Sequence, residues 1–307
     1  MNISSFLGGK LDLRLPQVMG ILNITDNSFC SHNRTLEPQH AFDIALTMQE
    51  EGAGIIDVGA EATNPHIDQN VSAQQELDRL IPVLELLQQH LKIPFSVDTS
   101  RPEVMSAAAK YGMGLINDVR ALLLPGALET AASLNLPVCL MHMKFPFGKT
   151  TKLDQSNLAN NSFLPAAGEG AGRRMRVDQG VFFEVKNFLE DRIAACVTAG
   201  ISREKIIIDP GFGAGNFGKT HKENLQLLNR LDEFQILGLP ILVGISRKIF
   251  IGEILGETPD KRLYGSIAAA TIAVTKGAQI VRTHDVKATK DAITVAIEIM
   301  QEGKKDE

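Results

Sequence analysis

The chain places polar side chains at one recurrent position, directly after a short apolar run. Asn23 follows VMGIL, Glu61 and Thr63 follow GIIDVG, and Asp98 closes PFSVD. Asn117 and Asp118 close LIND, His142 follows CLM, and Asp209 follows KIII. Ser246, Arg247 and Lys248 follow ILVGI, and Arg282 and His284 end QIVRTH. Any one of these residues alone is ordinary, because Asp and Asn at strand-to-helix junctions usually cap helices or form turns. Eight exits that all carry charged or hydrogen-bonding groups suggest a shared site. Its chemistry has two halves. Asp98, Asn117 and Asp209 offer acceptors and an amide donor that suit the donor-rich edge of an aminopyrimidinone ring. Lys248, Arg282 and His284 offer cations and donors suited to phosphates. Asn23 has a neutral oxygen of the kind Mg2+ accepts when its other ligands are water and substrate phosphate.

The apolar runs are short and bounded by turn residues, as in strands buried on both faces of a parallel sheet. Helical patterns separate them. Pro38 to Gly52 carries Ala41, Ile44, Ala45 and Met48 at helical spacing and closes on glycine. Ser72 and Gln75 form a capping-box pattern for a helix to about Leu91, and Pro102 opens the next at its first position. Further helices are expected over Gly126–Leu134, Asp178–Ala199, Lys222–Leu231, Leu263–Lys276 and Lys287–Glu302. Eight strand-then-helix units imply parallel pairing through right-handed crossovers and predict a single-domain (β/α)8 TIM barrel over residues 1–307. In that fold the eight exits converge on one mouth. An irregular insertion, residues 144–176, follows the fifth strand and is expected over that mouth as a lid or as an added loop without a role.

Bulk properties exclude several classes. The chain is 44% hydrophobic and 22% charged with a net charge of −5, which argues against a general nucleic-acid binder. Three cysteines without metal-ligand spacing argue against a disulfide framework and for a reducing cytoplasm. The first residues lack the pattern of a signal peptide, and no apolar run approaches the roughly 20 residues of a membrane span.

In these residues the sequence resembles the dihydropteroate synthase family across nearly its whole length. The matching blocks are MGILNIT, IIDVG with Glu61 and Thr63, SVDTS, IND, CLMHM, DPGFG, SRK and R-x-H-D, in that order. The resemblance implies condensation of 6-hydroxymethyl-7,8-dihydropterin diphosphate with p-aminobenzoate, with release of diphosphate. Asn23 would then ligate Mg2+ on the diphosphate. Asp98, Asn117, Asp209 and Lys248 would hold the pterin, with Met141 packing on it. Thr63, Arg282 and His284 would grip the diphosphate, and Ser246 and Arg247 would belong to the p-aminobenzoate loop. Asp98, Asp209, Lys248 and Arg282 would be the catalytic set. Helices of such barrels often pair, and Ile267 to Val274 is either a homodimer surface or a stripe facing the barrel.

The chain departs from the family pattern in its loops. Asp26 to Asn33 lacks the usual proline and glycine pair. Asn64 replaces an arginine, and Ala214 stands where the glycine-rich loop has phenylalanine. These changes touch the second substrate and the response to sulfonamides, which mimic it. A non-catalytic pterin-binding paralogue and a pterin-dependent methyltransferase are the competing readings. The second is disfavoured by Ser246–Lys248, Arg282 and His284, since a methyl donor has no diphosphate to hold. Gly213, Gly215 and Gly218 match a dinucleotide-binding fingerprint but follow the sixth strand, not the first.

Overall fold

The computed structural model describes residues 11–24, 37–60, 71–144, 180–214 and 217–302. The eight strands are β1 (Gln17–Asn23), β2 (Ile55–Gly59), β3 (Phe95–Asp98), β4 (Leu115–Asp118), β5 (Val138–Met141), β6 (Ile206–Asp209), β7 (Leu242–Val243) and β8 (Ile280–Thr283). All pair in parallel in the order β6-β5-β4-β3-β2-β1-β8-β7, and a parallel bridge between Ile208 and Ile241 joins the two ends. The sheet therefore closes into the (β/α)8 barrel that the strand–helix alternation predicts.

The helices between strands are α1 (Pro38–Glu50), α2 (Ala73–His90), α3 (Pro102–Ala109), α4 (Ala127–Leu134), α5 (Gly180–Thr198) and α6 (His221–Asn229). After β7 come α7 (Ile249–Leu255) and α8 (Leu263–Thr275), and α9 (Val286–Glu302) follows β8. Sequence signals set their ends. The Ser72 hydroxyl accepts from the Gln75 N–H at 3.2 Å while the Gln75 carboxamide accepts from the Ser72 N–H at 2.9 Å. Thr220 and Glu223 form the same reciprocal cap at α6. Pro38 and Pro102 occupy first-turn positions, where a missing N–H costs nothing. The helix expected to reach Leu231 stops at Asn229 and gives way to a 3-10 turn over Leu231–Leu237. The short helix α7 was absent from the sequence reading; its seven residues are too few for periodicity to show.

Alternation along the strands sorts side chains between two compartments. Outward residues such as Val18, Ile56, Val97, Ile116 and Leu140 pack beneath the helices. Inward residues Met19, Ile55, Leu115, Cys139, Ile207, Leu242 and Ile280 form a separate apolar cluster, joined by Leu11 and Leu13 from before β1. One inward step toward the C-terminal end, the lining becomes polar.

The same alternation corrects one expectation. Asn117 and Asp118 were both read as mouth residues, but adjacent strand residues face opposite ways. Asp118 is fully buried away from the mouth. It accepts the Ser100 hydroxyl, the Arg120 N–H at 2.8 Å and the Leu122 N–H at 2.7 Å. It shapes the turn in which Ala121 and Leu122 adopt φ of 51° and 59°, a turn whose carbonyls accept from the Arg192 side chain. Asp118→Ala leaves these donors unmet. We expect it to cost on the order of 3 kcal/mol in urea unfolding while leaving ligand affinity of the folded protein within twofold.

Candidate active site

Strand register assembles the mouth. Asn23 pairs with Gly59, Gly59 with Asp98, and Asp98 with Asn117, so four consecutive strands end at one level. Gly59 lies between two of these exits: a Cβ there would make ordinary contacts, 3.7 Å from Asn23 Oδ1 and 3.6 Å from Asp98 Cβ.

Asp57, one inward step below Gly59, organises the interior, although the sequence reading did not single it out. It is fully buried. Its Oδ2 accepts Arg282 Nε at 2.6 Å and Asn117 Nδ2 at 3.0 Å, and its Oδ1 accepts the Ser96 hydroxyl at 2.5 Å. Arg282 also donates through Nη2 to Asp98 Oδ2 at 3.1 Å. The guanidinium thus bridges two carboxylates. The available signal was a lone carboxylate inside the apolar run IIDVG, since a buried charge needs a partner. Its partner lies 225 residues away, beyond the reach of spacing arguments.

Asp209, at the end of β6, is 5% exposed. Its Oδ1 accepts the Gly211 N–H at 2.7 Å. Burial pushes its carboxyl up to about 6, opposed by the Gly211 N–H and by the Lys248, Lys219 and Arg282 cations. Lys248 is lowered to about 8, first by desolvation and then by Arg282, with Asp209 and Asp98 opposing. Its Nζ lies 4.1 Å from the centre of the Phe217 ring. Phe217, Met141, Met143 and Val119 form an apolar cluster beside these charges. The loop therefore does supply an aromatic wall, from Phe217 and not from the position of Ala214.

At the rim, Ser246 Oγ lies 3.0 Å from His284 Nδ1 and accepts the His284 main-chain N–H at 3.3 Å. Desolvation, then the Arg282 and Arg247 cations, lower His284 to about 4, although part of the residue reaches solvent. At neutral pH the ring is neutral and offers a hydrogen bond. Arg247, at φ 56°, donates through Nε and Nη2 to Asp285 at 2.9 and 2.5 Å. Its N–H donates to the Ser266 hydroxyl on α8 at 2.8 Å. His142, to which the sequence reading assigned no partner, is buried with Nδ1 2.9 Å from Lys219 Nζ, a second unforeseen buried charge. Glu61, Thr63, Asp26–Asn33, Ala62–His66, Gly215 and residues 145–176 of the insertion lie outside the described residues.

The arrangement can hold a flat polar ring between Asn117, Asp209 and Lys248 against Met141 and Phe217, with anion donors at the adjoining rim. Among the described residues no three His, Cys, Asp or Glu side chains form a metal cage. The exposed Asn23 carboxamide suits an ion held mostly by other ligands.

A closed (β/α)8 barrel with polar groups gathered at the C-terminal ends of its strands has the build of a barrel enzyme. The family model described as "Pterin binding enzyme" matches residues 19–284. Dihydropteroate synthase of Escherichia coli (strain K12) is 45% identical, over 94% of this chain and 93% of that protein. A Coxiella burnetii dihydropteroate synthase solved with pteroic acid is 45% identical with a TM-score of 0.76, covering 92% of each chain. The Xanthomonas albilineans enzyme solved with 4-aminobenzoic acid is 40% identical with a TM-score of 0.80, covering 97% of each. The chain belongs to the dihydropteroate synthase family of pterin-binding enzymes.

Asp57→Ala removes the carboxylate that Arg282, Asn117 and Ser96 share. We expect it to lower stability by about 3 kcal/mol in denaturant unfolding, because it leaves the buried Ser96 and Asn117 donors unmet and Arg282 with Asp98 alone. Asp57→Asn retains the shape and should cost less.

Proposed function

We propose that the protein condenses 6-hydroxymethyl-7,8-dihydropterin diphosphate with p-aminobenzoate, forming 7,8-dihydropteroate and releasing diphosphate. The observation that carries this reading is the joined pocket in which Asp98, Asn117 and Asp209 surround Arg282 and Lys248 at the barrel mouth. Its support from relatives is that members of the family hold pteroic acid and 4-aminobenzoic acid.

In this reading Asn117 and Asp209 hydrogen-bond the pterin edge, Lys248 donates to it, and Met141 and Phe217 pack on its faces. Departure of diphosphate develops positive charge on the electron-rich ring and negative charge on the leaving group. The Asp98 and Asp209 carboxylates favour the first. Arg282 has five N–H donors, and the bonds to Asp57 and Asp98 leave others for a phosphate oxygen. His284, Ser246 and Thr63 complete the anion side. The amine of p-aminobenzoate then attacks the methylene carbon, near the loop bearing Ser246 and Arg247. No covalent enzyme intermediate is required.

Mg2+ is part of the proposal, with Asn23 as its protein ligand. When bound it neutralises charge on the leaving diphosphate. Asn23→Ala should raise the Mg2+ concentration needed for half-maximal rate, measured by diphosphate release, while leaving binding of a pterin without phosphate unchanged. A homodimer is also proposed. Its support is the exposure of Tyr264 (81%) and Ile272 (46%) on α8 and of Val295 (60%) and Ile299 (69%) on α9, neighbouring helices that leave apolar side chains uncovered. Of the segment Ile267–Val274, Ala269, Ala270, Ala273 and Val274 are buried, which favours the barrel-facing stripe for those positions. The proposed location is the cytoplasm, consistent with the free thiols of Cys139 and Cys196.

The reaction itself is tested by diphosphate release from the pterin diphosphate in the presence of p-aminobenzoate and Mg2+. Pterin binding without release would sink the enzyme reading. The pH profile is a second test. Asp209 acts as an anion, so activity falls as pH drops through about 6. Lys248 acts as a cation, so activity falls as pH rises through about 8. We expect a bell-shaped kcat/KM for the pterin diphosphate between these limits. Asp209→Asn should remove the acid limb and lower kcat/KM by roughly 10²- to 10³-fold.

A further inference from the structure

Behind the pterin pocket lies a lysine with no place in the reaction just described. Lys219 is 2% exposed, as deeply buried as the core leucines. Its Nζ donates to the His142 carbonyl at 3.2 Å and lies 2.9 Å from His142 Nδ1. His142 is itself tied to the pocket, since its main-chain N–H donates to the Asp209 carbonyl at 3.0 Å. The turn after Asp209 packs on that same His142 carbonyl. Gly211 has φ of 70°, and a Cβ there would lie 2.0 Å from the oxygen, so no side chain fits. The Gly211 N–H is the donor to the Asp209 carboxylate. Further along, the Lys219 N–H donates to the Gly213 carbonyl at 3.2 Å, and the Gly213 N–H donates to Asn224 Oδ1 at 2.8 Å. The loop carrying Phe217 is thus fastened at both ends, and Lys219 joins it to β5.

The charges give Lys219 a second task. Among the described residues, the mouth holds the carboxylates of Asp57, Asp98 and Asp209 against the cations of Arg282 and Lys248. One negative charge is left over there, and Lys219, which also faces Glu184, Glu223 and Lys144, is a third cation beside it. Burying an ammonium is unfavourable unless neighbouring charge compensates.

We propose that Lys219 is a positioning residue for the pterin-binding carboxylate: it fastens the Phe217 loop to His142, the residue whose main-chain N–H holds Asp209, and places a buried cation behind that carboxylate. The inference rests on the pterin-site reading above.

The groups facing Lys219 are Asp209 at the end of β6, His142 and Lys144 after β5, Glu184 on α5 and Glu223 on α6. Burial lowers Lys219 to about 7, with Asp209, Glu184 and Glu223 opposing and Lys144 adding to the effect. Burial, then Lys219 and Lys144, lower His142 to about 3, so its ring is neutral and its Nδ1 can accept from the ammonium. Asp209 in turn faces Lys248, Lys219 and Arg282. At about pH 6, where Asp209 takes up its proton, Lys219 is mostly charged, and it loses that charge as pH rises through about 7. Removing that charge leaves Asp209 holding its proton to higher pH.

The test is fluorescence titration of 6-hydroxymethylpterin between pH 5 and 8 with the wild type, Lys219→Gln, Lys219→Met, Lys219→Arg and Asp209→Asn. Lys219→Gln keeps a donor for the His142 carbonyl and so separates loss of charge from loss of the fastening. Wild-type affinity should fall below about pH 6. In Lys219→Gln and Lys219→Met that midpoint should move upward by about half a pH unit or more, and Lys219→Arg should restore it. Folded Gln and Met variants with the wild-type midpoint would overturn the proposal. A wild type that binds no pterin, or an Asp209→Asn variant that keeps the wild-type profile, would instead overturn the pterin-site reading and the proposal with it.

Discussion

The mouth of this barrel depends on the ion-pair network in which Asp57 and Asp98 share the Arg282 guanidinium. It lies one inward step above an apolar layer that includes Met19, Ile55 and Ile280. A charge at that depth is tolerated only when its partner is held in good geometry and its remaining donors and acceptors are met. Asp57 meets the condition with three partners from three other strands: Ser96 on β3, Asn117 on β4 and Arg282 on β8. The network therefore ties β2, β3, β4 and β8 together at the level where ligand chemistry begins. It also orients Asn117, whose amide would otherwise be free to flip.

From that core the site divides by electrostatic role. Asp209 and Lys248 are electrostatically coupled, and the Lys248 ammonium lies over the Phe217 ring face. The rim bearing His284, Ser246 and Arg247 is tuned differently. His284 is kept neutral by desolvation and nearby cations, and Arg247 is committed to Asp285. Arg282 lies between the halves, joined to the interior by two bonds and able to donate outward. A substrate with an electron-rich ring at one end and an anion at the other matches this division, as the proposed reaction requires.

Much of this was legible in the chain. Eight apolar runs with polar exits specify strands whose C-terminal ends carry chemistry, and the Ser72–Gln75 and Thr220–Glu223 caps are local hydrogen-bond patterns readable from four residues. Asn23, Asp98, Asn117, Asp209, Lys248 and Arg282 could be named because each sits at or beside a strand end, and Met141 through the family resemblance. Legibility failed where a side chain's meaning depends on what faces it. Asp118 looked equivalent to Asn117 until the alternation of β4 sent it outward. Asp57 looked like one polar residue in a buried run. Lys219 carries no local pattern that marks it as buried.

By itself, the sequence determined the order of the strands and longer helices, the closed parallel architecture and the family, because periodicity, caps and motif order are properties of neighbouring residues. Only the tertiary structure decided the internal wiring: Arg282 between Asp57 and Asp98, Phe217 under Lys248, and Lys219 behind Asp209. The physical reason is that buried charges are governed by who stands opposite. In a barrel, the residues standing opposite come from strands dozens to hundreds of positions apart, brought to one level only by register and closure.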